Sequence, residues 1–107
     1  MTREELDQVK QAATHFIEMN EAYQRLLTNA DFNKIVDNYT KEEPVRLVHL
    51  LADASLNMSD KHQQHRQEIN ETLLGIARFT AYLRHIPLLA DRARNQLEDL
   101  NDVEITD

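Results

Sequence analysis

Apolar residues recur at alternating steps of three and four through most of the chain, the mark of helices that bury one stripe. In the first segment Leu6, Val9, Ala13, Phe16, Asn20, Tyr23 and Leu27 keep this spacing, a heptad seam with one polar member, Asn20. Thr2, with Glu5 three residues on, has the form of a capping box that starts the helix. The simpler reading of the seam is a helix face packed inside the chain. The sharper one is a helix that pairs with another chain, with Asn20 as the polar residue that sets register.

The stretch LLTNADFNKIVDNYTKEEPVRLVHLLAD interrupts that pattern. Asn29 and Asp31 are both suitable N-caps. Phe32, Ile35, Val36 and Tyr39 then follow the i, i+3, i+4, i+7 rule, which describes a short helix. Thr40 with Glu43 offers a second capping box, and Pro44 offers an alternative start at the first helical position. The two conflict, because proline disfavours helical geometry at Glu43. A further helix follows through Val45, Leu47, Val48, Leu50, Leu51 and Ala52. The expectation is a corner: two short helices folded on longer ones, burying Phe32, Ile35, Val36, Val48 and Leu51.

LNMSD, with Ser59 or Asp60 as cap, leads into the longest pattern. Ile69, Thr72, Ile76, Phe79, Leu83, Ile86, Ala90, Ala93, Leu97 and Leu100 hold the three-four spacing without a slip. Leu73, Leu74, Ala77, Ala81, Leu88 and Leu89 widen the stripe, which suits a bundle better than a two-stranded coil. A helix of about 40 residues spans roughly 60 Å, more than the other helices of one small domain would cover. Ile69, Ile76, Phe79, Leu83, Ile86, Ala90 and Leu97 are therefore the candidate interface for a second chain. Pro87 lies off the seam and predicts a kink or interruption near Leu83. Gly75 weakens the helix unless a neighbour must approach closely there. The expected fold is all-α: three to four helices in a bundle, with a long C-terminal helix kinked near Pro87. Residues 1–100 form one domain in this reading, and residues 101–107 an acidic, frayed tail.

Composition sharpens this picture. One glycine and two prolines in 107 residues leave too few turn residues for a β-rich fold. The absence of cysteine excludes disulfides, thiolate metal sites and thiol catalysis. A net charge of −7 argues against broad phosphate binding. Between Lys61 and Arg94 six basic residues (Lys61, Arg66, Arg78, Arg84, Arg92, Arg94) face three acids, but no nucleic-acid motif accompanies them. A solvated helix face is the preferred reading. The N-terminal MTREELDQVK has no apolar core of a signal peptide, and no apolar run reaches membrane-spanning length. The expected location is the cytoplasm.

Chemistry-bearing patterns are sparse. His62 and His65 share a helix face, but zinc would need two more ligands, such as Asp60 or a distant carboxylate, and HExxH is missing. His15, His49 and His85 are isolated. Solvated or half-buried histidines are the preferred reading, with no metal and no cofactor. Nucleophile elbow, P-loop and glycine-rich cradle are all lacking, and Glu4, Glu5, Glu42 and Glu43 sit where they complement helix dipoles. No catalytic residues are assigned.

The stretch from Leu26 to Asp53 resembles the middle of small helical proteins encoded by tailed bacteriophages. In those chains a leading helix is followed by L-x-N-x-x-F, then a y-x-x-e-E-x-x-R-L-v-x-L-L helix, then a long amphipathic helix like ETLLGIARFTAYLRHI. The matching residues are Leu27, Asn29, Phe32, Tyr39, Glu43, Arg46, Leu47, Leu50 and Leu51, within a resemblance that runs from Asn20 to Ile86. Pro44 departs from the pattern at the start of its helix. The resemblance implies an accessory role in virion structure or assembly and brings no catalytic residues with it. The expected function is non-enzymatic protein–protein contact, with itself or a larger structural protein, in the host cytoplasm or in the virion. The alternative is a phage-encoded inhibitor or regulator that docks on a host protein, by acidic mimicry. Neither reading involves a small-molecule substrate, nucleic acid or a membrane.

Overall fold

The computed structural model describes residues 1–106, and Asp107 lies outside the described residues. It is all-α, as the apolar spacing predicts. Helix α1 spans Arg3–Leu26. The Thr2 hydroxyl accepts the Glu5 amide at 3.1 Å, so the capping residue read from the sequence is used. Glu4 and Glu5 in the first turn and Arg25 in the last complement the helix dipole. The chain turns at Leu27 and Thr28, and Asn29 caps the next helix by accepting the Phe32 amide at 3.0 Å.

The corner expected at Thr40–Pro44 is absent. Helix α2 (Ala30–Asp37), a π-helical turn (Asn38–Glu42) and helix α3 (Glu43–Leu51) follow without a gap. Asn38, Glu42 and Glu43 all hold right-handed helical angles. Thr40 does not cap; its hydroxyl donates to the Val36 carbonyl at 2.8 Å. The physical reason is Pro44. Without an N–H it cannot serve the carbonyl four residues back, and the backbone widens by one residue instead of breaking. The Glu43 amide accordingly donates to the Asn38 carbonyl, five residues earlier.

Asp53 caps the single-turn helix α4 (Ala54–Asn57), its carboxylate accepting the Ser55 amide at 2.7 Å. Ser59 leads into α5 (His62–Leu100): its hydroxyl accepts the Lys61 amide at 3.2 Å and its carbonyl the His62 amide at 3.1 Å. Pro87 sits inside α5 without ending it.

The residues gather into two compact units. The first joins Met1–Thr28 to the chain from Arg84 on. Its buried side chains recur at steps of seven, Leu6, Ala13 and Asn20 on α1 and Ile86, Ala93 and Leu100 on α5, with Ala90 between. Alanine at these positions suits close approach of two helices. The Thr106 amide donates to the Met1 carbonyl at 2.9 Å, and the Met1 ammonium donates to the Thr106 hydroxyl at 3.1 Å.

The second unit runs from Asn29 to Leu83. Leu47 and Ile76 are buried in it, with Phe32, Val36, Leu51, Ile69 and Leu73 half-buried. Tyr39 and Phe79 meet edge to face with ring centroids 5.7 Å apart. Two residues expected in the core are outside it: Ile35 is 69% exposed and Val48 is 53% exposed. The corner reading assigned both to an inward face, which the unbroken helical run through the π turn does not present.

Candidate contact surface

The long seam proposed as an interface is mostly taken up within the chain. Ile76, Ile86 and Ala90 are buried, and Ile69, Leu83 and Leu97 are half-buried. Phe79 alone keeps an exposed edge, beside Tyr39. Each unit therefore uses its part of the stripe as its own core. Asn20 is buried as well, and its side-chain carbonyl accepts from Gln24 of the same helix at 3.2 Å. Its polar group is met locally.

The histidines do not converge. Among the described residues no three metal-ligating side chains come together. The His62 ring nitrogen lies 3.0 Å from the Ser59 carbonyl, and His15 stacks at a tilt on Phe16, 5.9 Å between centroids.

Arg66 is the residue that sequence reasoning missed. From α5 its guanidinium donates to the Leu51 carbonyl at 3.0 Å and to the Asn57 side-chain carbonyl at 2.8 Å. Asn57 in turn donates to the Asp53 carbonyl at 3.0 Å. A cation thus sits at the C-terminus of α3, where carbonyls lack helical partners and the dipole is negative. The available signal was general: a helix end before Ala52 needs donors, but no spacing says which arginine supplies them.

The rest of the basic stretch divides. Arg94 pairs with Asp91 at 3.2 Å, while Arg78, Arg84 and Arg92 are exposed and form no ion pair among the described residues. Arg46 grips Glu43, with its Nε 3.1 Å from both carboxylate oxygens, and that hydrogen bond holds the Glu43 carboxyl below its usual value. Asp53 is also held low, chiefly by its bonds to Ser55.

What remains outward on α5 in the second unit is a different face. Gln67, Glu71, Leu74, Arg78 and Tyr82 follow one another at helical steps of three or four, and all are exposed. Leu74 is 50% exposed and Tyr82 is 53% exposed. Gln67 donates to the Glu71 carboxylate at 3.2 Å, which fixes that carboxylate on the face. Gly75 lies beside Leu74, and a Cβ built there meets nothing within 4 Å. A shallow groove along the same helix is lined by Gln63, Arg66, Gln67, Asn70, Glu71 and Leu74.

No family model, curated protein or solved structure matches the chain. No helix of the described residues is long and apolar enough to cross a membrane.

Proposed function

We propose that this chain is a non-enzymatic contact protein, a small accessory or virion component of a tailed phage that works by binding other protein surfaces. The observation that carries the contact role is the exposure of apolar side chains on outer helix faces. Ile35, Val45, Val48, Leu74 and Tyr82 each stand more than half out of the fold or at the halfway mark. Valine and isoleucine are poor choices for a solvated helix surface, because they restrict the helix and gain nothing from water. The resemblance to small phage proteins, carried by Leu27, Asn29, Phe32, Tyr39, Glu43, Arg46, Leu47, Leu50 and Leu51, supports the virion setting.

Mass spectrometry of purified particles from the encoding phage tests the setting. The protein is expected at a fixed ratio to a structural protein through repeated gradient purification. Its presence in infected-cell lysate but never on particles would remove the virion role and favour the reading as a regulator of a host protein.

A further inference from the structure

Gly75 has no explanation inside the chain. Glycine in a helix interior is about 1 kcal/mol less favourable than alanine, and it persists where something must come close. Here a Cβ would meet only open space, so nothing within this fold requires a glycine and the position leaves a notch free on the surface. On one side of it stand Leu74 and Glu71, on the other Arg78 and Tyr82, all outward on one continuous helix.

We propose that this face of α5 pairs with the same face of a second copy, antiparallel, about a two-fold axis passing between Leu74 and Gly75. The proposal rests on the contact reading above and names its partner. A two-fold contact must be complementary to itself, and this face is so in one orientation. With the axis between residues 74 and 75, Leu74 of one copy seats on Gly75 of the other, a large side chain in the space left by none. Glu71 meets Arg78 of the second copy, and by symmetry this happens twice. Both are available, because Arg78 has no ion pair among the described residues and Glu71 accepts only a neutral amide, from Gln67. Tyr82 reaches Gln67 of the second copy, over the groove that Gln63, Gln67 and Asn70 line. Its phenol can be satisfied there by an amide while its ring covers the groove floor.

The charges decide the orientation. Parallel pairing would set Glu71 against Glu71 and Arg78 against Arg78, and like charges directly opposed across an interface reject a partner. Moving the axis to Arg78 would again oppose two arginines. Two chains of net charge −7 repel at long range, so a stable pair needs a face that supplies its own attraction, and this one carries a balanced pair.

Sedimentation of the full chain at about 50 µM, with variants, tests the register. Wild type is expected to form dimers. Glu71→Arg and Arg78→Glu, each alone, oppose like charges and should be monomeric. An equimolar mixture of the two should dimerise again, because each then meets the other's opposite charge. Gly75→Leu should be monomeric while keeping wild-type helicity, since its side chain enters open space within the chain. A wild-type dimer indifferent to all three substitutions would place the contact elsewhere and overturn this face, while leaving the contact role standing. A wild type that stays monomeric would overturn the second copy as occupant, and retention on particles would then still support a contact with another protein.

Discussion

At Arg66 one nitrogen serves two acceptors, the Leu51 carbonyl at the end of α3 and the Asn57 amide oxygen in α4. Arg66→Ala leaves both without their charged donor, and hydrogen bonds to charged groups contribute about 1.5 to 3 kcal/mol each when buried. Because Arg66 is only half-buried, a loss near 1.5 kcal/mol is expected, read as a lower urea midpoint with an unchanged slope. Amide exchange should accelerate first between Leu51 and Met58. If exchange rises uniformly instead, the latch is not local and the assignment fails. Asp53 sets a second residue-scale expectation. Its folded pKa lies below the ordinary carboxylate value, through Ser55, so the charged form is the one the fold prefers. The stabilisation is complete above the unfolded pKa of about 3.9 and disappears as pH falls through the lower folded value. Asp53→Asn keeps a capping oxygen but cannot titrate. Its urea midpoint should therefore fall less than that of wild type between pH 6 and pH 3. An identical fall in both proteins would show that Asp53 does not contribute to the acid sensitivity.

Among the elements, the run from Ala30 to Leu51 shows where sequence rules stop. Thr2 and Asn29 were legible as caps because a cap is a bond between a side chain and an amide two or three residues on. The seven-residue spacing of Leu6, Ala13 and Asn20 was legible for the same reason, since one helix face is a local property. Pro44 was misread. The local rule makes the residue before a proline a boundary, yet Glu43 is helical and the backbone absorbs the missing N–H as a π turn. The outward placement of Ile35 and Val48 was lost with it, and the Arg66 latch joins residues 15 apart with no periodic signature. In the candidate interface Ile76, Ile86 and Ala90 are buried in one unit or the other, while Ile69, Phe79, Leu83 and Leu97 keep part of their surface open. Pro44→Ala tests the π turn directly. With an N–H at position 44, the Thr40 carbonyl regains an α-helical donor, so the five-residue widening loses its cause. Far-UV ellipticity should stay level or deepen, and the amide of residue 44 should be protected from exchange. Unfolding of the whole Ala30–Leu51 run would mean that the π turn is held by its surroundings and not by proline.

The whole molecule is thinly cored. Among the described residues eight apolar side chains are buried, and three of them are alanines, which contribute little buried area. A monomer built this way depends on whatever else covers its surface, and covering linked to folding makes stability a function of concentration. For a dimer that unfolds to two chains, raising total protein about fortyfold, from roughly 5 to 200 µM, adds about 2 kcal/mol per dimer, or about 1 per chain. In a domain of this length that corresponds to a rise in Tm of about 4 to 8 °C. Wild type should show it in calorimetry at moderate salt, where the repulsion between two acidic chains is screened within about 10 Å. Gly75→Leu separates association from intrinsic stability. Its helix propensity is better than that of glycine, so its Tm at 5 µM should equal or exceed that of wild type at the same concentration. At 200 µM it should not rise further, because the hollow that receives Leu74 of the second copy is filled. A variant whose Tm climbs with concentration as steeply as wild type would show that the missing cover comes from another surface of the molecule.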